Sequence, residues 1–171
     1  MEITNIKIRG NTPYPQIINA SNDTRTVQVL KDLLSSKEGE ITGIMQYFYQ
    51  ASIAKQTNQD IADILEEISI VEMEHMELLM DAIIAFGGNP TYSNSQGQPF
   101  NTNYINYSTR LKDMLDVNIS GEEQAIKNYY KAQQLVSNMS LKELLTRIVE
   151  DEQLHLQAFK TLRNTVGFLS L

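Results

Sequence analysis

Apolar side chains recur every three to four residues over four long stretches of the chain, and in each stretch charge interrupts the apolar row. That period is the signature of an α-helix turning one face toward a core. Over about Thr24–Gln56 the inner row reads Leu30, Leu33, Glu40, Ile44, Tyr47, Ala51 and Ala54. In the stretch that ends near Phe86 it reads Leu65, Ile68, Glu72, His75, Leu79 and Ala82. About Ser108–Val136 carries Leu115, Ile119, Glu122, Ile126 and Tyr129, and Leu141 to about Val166 carries Leu141, Leu145, Ile148, Glu152, His155, Phe159 and Leu162. The pattern predicts four helices. Each would carry a glutamate into the core, and two would carry a histidine three residues later, on the same face.

The intervening segments predict how these helices connect. Thr57-Asn58-Gln59-Asp60 reads as a tight connection, and Gly87-Gly88-Asn89-Pro90 as a firm helix end. The stretch from there to about Tyr107 is rich in Asn, Ser, Gly, Gln and Pro and is longer than an ordinary turn, which favours a crossover along the molecule. Ser21, Asn22 and Asp23 offer caps for the first helix, and Ser140 with Glu143 forms a capping-box pattern for the fourth. Residues 1–23, with Gly10, Pro13 and Pro15 and no helical period, predict an extended arm lying on a bundle of residues 24–171.

The two halves of the chain also match one another. Gly39-Glu40, followed by Ile44, Tyr47 and Phe48, lines up with Gly121-Glu122, followed by Ile126, Tyr129 and Tyr130. Glu72 and His75 each lie 80 residues before Glu152 and His155, and the two histidines are the only ones in the protein. Two helical hairpins joined by a long crossover predict an all-α antiparallel four-helix bundle with approximate two-fold symmetry.

Composition narrows the chemistry. With no cysteine there is no disulfide framework and no thiolate metal site, so any ion must be held by oxygen and nitrogen. A formal charge of −7 argues against nucleic acid as a partner. No apolar run approaches a membrane span, and the first residues lack the apolar core of a signal peptide, so a cytoplasmic protein is expected. Glu40, Glu72, Glu122 and Glu152 in one core layer could not all stay ionised unaided, because each isolated buried charge costs several kcal/mol. The four rows hold no lysine or arginine to offset them. Two divalent cations would cancel the four charges and take His75 and His155 as neutral ligands. Oxygen and imidazole donors without thiolate suit iron or manganese, with zinc admissible. Tyr47 and Tyr129 share the faces of Glu40 and Glu122 and could donate a hydrogen bond to a ligand carboxylate. Asp151 could reach His75 from the adjoining helix and fix its ring. Glu66, Glu67, Glu74, Glu77, Glu123 and Glu150 fall off the inner faces and read as surface charge. Met73, Met76 and Met80 read as packing residues.

With two inward glutamates and two Glu-x-x-His pairs over all four helices, the chain resembles the ferritin-like superfamily, and within it the rubrerythrin, bacterioferritin and manganese-catalase branches. The resemblance implies that Glu72 and Glu152 bridge two metals, that Glu40 and His75 complete one of them, and that Glu122 and His155 complete the other. Asp151-Glu152-Gln153-Leu154-His155 is also similar to a segment of the ribonucleotide reductase radical subunit, whose leading aspartate lies behind a ligand. Rubrerythrins typically add a ligand glutamate where this chain has Ala125, and they usually carry a cysteine-rich domain, which is not expected from residues that include no cysteine. Met73 stands where bacterioferritins ligate haem. What the resemblance implies is a homo-oligomeric dinuclear iron protein, or a manganese one. It would reduce hydrogen peroxide or dioxygen with an external electron donor, disproportionate peroxide, or oxidise and store iron.

Overall fold

The computed structural model describes residues 6–169, with side chains described through residue 166. The first five residues of the arm and the last two of the chain lie outside that range. Helix α1 (Thr24–Ser35) starts where the Asp23 carboxylate accepts hydrogen bonds from the backbone N–H groups of Arg25 and Thr26. This satisfies two of the donors that a helix N-terminus leaves free.

The single helix expected over about Thr24–Gln56 is in fact two. The chain breaks at residues 36–39, and α2 spans Glu40–Ala54. Gly39 makes the break possible, because a Cβ there would lie 2.6 Å from the carbonyl oxygen of Leu33. Its N–H bonds the Ser36 carbonyl at 3.1 Å, so the chain folds tightly against the end of α1. The repeated Gly-Glu pair therefore has two meanings. Gly39 is a helix start, whereas helix α4 (Leu111–Leu135) runs straight through Gly121.

Helix α3 (Gln59–Ala85) is capped by the Asn58 side chain, which accepts from the Ile61 N–H. It stops at Gly87, whose φ of 81° suits glycine, and a Cβ there would collide with the Asn22 side chain. The crossover follows, held by Lys31 to Thr91 at 3.0 Å, by the Ser95 N–H to Asp32 at 2.9 Å and by the Asn106 N–H to Gln46 at 2.8 Å. It contains one isolated bridge, Ser93 with Pro99, and one 3₁₀ turn, Thr102–Tyr104.

Helix α5 (Met139–Leu169) corrects a second expectation. Its first turn is capped by Asn138, which accepts from the Leu141 N–H at 2.9 Å. The Ser140 hydroxyl instead accepts from the Ile18 N–H at 3.0 Å, so it ties down the arm rather than closing a capping box.

Helices α2 and α3 pack as one hairpin and α4 and α5 as another, with α1 against α3, α4 and α2 at one end. Apolar side chains gather in two clusters. One includes Leu30, Leu34, Leu79, Ile83, Leu141 and Leu145; the other includes Ile61, Leu65, Ile68, Leu115, Phe159 and Leu162. Between them lies a buried polar layer. Residues 6–23 form no helix or strand and run along α5 and α3, with Arg9 paired to Glu74. Among the described residues no helix is long and apolar enough to cross a membrane.

Candidate metal centre

The polar layer contains the six residues marked by the apolar rows. Glu40 comes from the first turn of α2, Glu72 and His75 from the middle of α3, Glu122 from α4, and Glu152 and His155 from α5. All are buried, both histidines completely. The imidazole rings lie 6.0 Å apart between centroids, and each turns its Nδ1 toward the carboxylates.

Glu72 and Glu152 divide their oxygens between the two rings. The Glu72 Oε2 lies 3.3 Å from His75 Nδ1, while its Oε1 lies 3.0 Å from His155 Nδ1. For Glu152 the corresponding distances are 3.1 Å from Oε1 to His75 and 3.7 Å from Oε2 to His155. Glu40 approaches only His75, at 3.6 Å, and Glu122 only His155, at 4.0 Å. The donor atoms thus form two groups that share Glu72 and Glu152, with Glu40 and His75 completing one and Glu122 and His155 the other. Spacings of 3.0–4.0 Å suit neighbouring ligands on one ion, since two donors each about 2.1 Å from a metal and at right angles stand about 3 Å apart.

The chemistry of the donors fits the same group. Glu40 Oε2, Glu152 Oε1 and His155 Nδ1 are buried without a hydrogen-bond partner, a costly state for polar atoms unless something else binds them. Burial pushes the Glu40 carboxyl up, reinforced by the charge of Glu72, and pushes Glu122 up, reinforced by Glu152. Burial acts on Glu72 and Glu152 too, but bonds and charge from the histidines outweigh it and hold both below the ordinary carboxylate range. Burial presses His155 down, yet the charge of the neighbouring Glu72 carboxylate, with that of Glu152, holds it up at about 9. His75 is likewise raised against its burial, by Asp151, Glu152 and Glu40.

Tyr47 and Tyr129 bond carboxylates, but not those of their own helices. The Tyr47 hydroxyl donates to Glu122 Oε1 at 2.6 Å, and the Tyr129 hydroxyl donates to Glu40 Oε1. Each hairpin thus braces a glutamate of the other. Asp151 stands behind His75, with Oδ2 3.2 Å from Nε2.

Three residues around it escaped the sequence reading. The Gly10 N–H donates to Asp151 Oδ1 at 2.6 Å, the Tyr14 hydroxyl donates to Oδ2 at 2.7 Å, and Arg147 Nη1 lies 2.7 Å from Oδ1. Arg147 is buried, one layer behind the rows that lack a cation. Its place four residues before Asp151 was a usable signal, whereas Gly10 and Tyr14 sit in a segment without period. Glu67, Glu77, Glu123 and Glu150 are exposed, and the half-buried Glu66 and Glu74 pair with Lys55 and Arg9. Met73 is 38% exposed on α3, while Met76 and Met80 pack against an apolar cluster.

A cavity of about 380 Å³ connects the layer with the surface. Its outer wall includes Lys37, Glu123 and Lys127, and its floor is formed by Glu40, Glu72, Glu122 and Glu152. Gly43 and Gly121 leave part of the wall bare.

Known proteins share this architecture. A probable manganese catalase from Clostridium acetobutylicum is 22% identical over 159 residues, which is 81% of this chain and 70% of that protein. The crystal structure of KatB, a manganese catalase from Anabaena, superposes with a TM-score of 0.84 at 23% identity, covering 93% of this chain and 80% of that one. A bacterioferritin from Rhodobacter capsulatus superposes with a TM-score of 0.75 at 21% identity, covering 87% and 89%. The family model described as rubrerythrin matches residues 31–163, most of the chain and all six buried donors, and the protein therefore belongs to the rubrerythrin family of ferritin-like proteins.

Proposed function

We propose that the protein is a dinuclear manganese or iron oxidoreductase that consumes hydrogen peroxide by disproportionation. The observation that carries this reading is the pair of donor groups sharing Glu72 and Glu152, with Glu40 and His75 at one end and Glu122 and His155 at the other. These six residues would hold two ions. Two ions cycling between adjacent oxidation states would supply and recover the two electrons that reduce one peroxide to water and oxidise another to dioxygen.

The remaining work falls to the chain itself. The cavity admits a molecule the size of peroxide to the four glutamates. The apolar clusters on either side close the layer everywhere but at this cavity. Glu40 lines the cavity, and with its Oε1 held by the Tyr129 hydroxyl its unpartnered Oε2 is the atom that would face the ion. The Tyr47 and Tyr129 hydroxyls fix the orientation of Glu122 and Glu40.

Disproportionation needs no further electron source. The manganese catalases among its relatives favour this reading. The family match favours a second one, a rubrerythrin-type peroxidase fed by a separate donor.

The test is oxygen release from hydrogen peroxide by manganese-loaded protein without reductant. One dioxygen per two peroxides is the expected result. Peroxide loss only with an added donor would establish the second reading. No loss with either metal would overturn both.

A further inference from the structure

The two ends of the cluster are held differently. At one end, His75 Nε2 faces Asp151 at 3.2 Å, and Asp151 is gripped by the Gly10 N–H, the Tyr14 hydroxyl and Arg147. Arg147 is itself fixed by the arm, donating from Nε to the Thr12 carbonyl at 2.6 Å and from Nη2 to the Gly10 carbonyl at 3.1 Å. The Tyr14 ring completes the assembly, packing 4.5 Å below the Arg147 guanidinium and edge-on to His75 at 6.1 Å. Gly10 allows the close approach, because a Cβ would stand 2.9 Å from Arg147 Cζ.

Among the described residues nothing comparable stands at the other end. His155 Nε2 is buried without a hydrogen-bond partner. The residue matching Asp151 in the other half of the repeat is Val71, which has no polar group to offer.

We propose that residues 10–14 of the arm clamp one of the two ion sites. Acting through Asp151, they fix the His75 ring, so that the ion held by Glu40 and His75 binds tightly while the ion held by Glu122 and His155 is the exchangeable one. The inference rests on the dinuclear reading above. Residues that orient a ligand histidine from behind commonly change metal affinity by about 10–100-fold, which is the scale expected here. Tyr14, Gly10 and Arg147 are then positioning residues two steps from the metal, and the arm is part of the site.

The experiment is titration of manganese(II) into full-length, ion-free protein by calorimetry. Tyr14→Phe keeps the ring over Arg147 and removes only the hydroxyl. In a His155→Gln background, which retains the His75 end, Tyr14→Phe should weaken manganese binding by about 10-fold. In a His75→Gln background it should change nothing. Asp151→Asn should follow the same pattern with a larger loss. If a single-histidine background does not bind, the two steps of the native isotherm provide the same comparison, with one step weakened and the other unmoved. Equal weakening at both ends, or at neither, overturns the clamp. A native protein that binds no manganese and no iron would instead overturn the dinuclear reading, a separate result.

Discussion

Loading the ion-free protein with manganese(II) near neutral pH should expel about four protons for every two ions. The layer contains four carboxylates and two imidazoles, and among the described residues no lysine or arginine forms an ion pair with them. Each uncompensated charge there would cost several kcal/mol, so the empty layer must sit near neutrality. Four protons spread over the six groups achieve that. The directions of the shifts agree with this: both imidazoles, Glu40 and Glu122 are raised, and Glu72 and Glu152 are lowered. Two divalent ions replace this positive charge, and metal binding then drives the protons out. Calorimetric titrations in buffers of different ionisation enthalpy give the count directly, and the apparent affinity should rise steeply with pH. Release of about one proton or none would refute the picture of an empty site neutralised from within.

The same shifts predict an alkaline weakness in the ion-free protein. A histidine raised from 6.5 to about 9 contributes stability that is full below about 6.5 and lost as pH climbs through about 9, and His75, Glu40 and Glu122 act in the same sense. Melting temperature should therefore fall across that window in ion-free protein and stay flat once metal is bound; a rise in the ion-free protein would contradict the assignment. Glu152→Ala should bind neither ion, because both donor groups need it, and elemental analysis finding two metals per chain would remove its bridging role. Gly39→Ala should cost about 1–3 kcal/mol by chemical denaturation, since its methyl must displace the backbone of α1, and a change under about 0.5 kcal/mol would show that the turn has slack.

The six buried donors were legible in the sequence because a charged residue in an apolar row stands out once the helical period is known. Glu40, Glu72, His75, Glu122, Glu152 and His155 all lie where their rows place them. The break at residues 36–39 was not legible, and helix geometry explains why. Four residues make about one helical turn, so the rows on either side stay nearly in phase and Leu33 and Ile44 are both buried. The crossed tyrosines were half legible. Tyr47 lies seven residues from Glu40, about 10.5 Å along the helix, which is too far for a hydroxyl to reach its own helix's glutamate. Only packing between hairpins reveals that its acceptor is Glu122. The grip of Gly10 and Tyr14 on Asp151 spans more than 130 residues and follows no period, so no local pattern could announce it.

The crossed tyrosines also bear on how this chain finds a single alignment. Two greasy hairpins could slide past one another by a full turn, about 5.4 Å, and still bury leucine against leucine. Such a slip would strand both phenols and leave Glu40 and Glu122 facing hydrocarbon, so only one of the possible stackings is tolerable. The polar stratum thus acts as a locating pin for the whole scaffold, and two carboxylates of the candidate metal centre, Glu40 and Glu122, are the same ones that tell the hairpins where to stop.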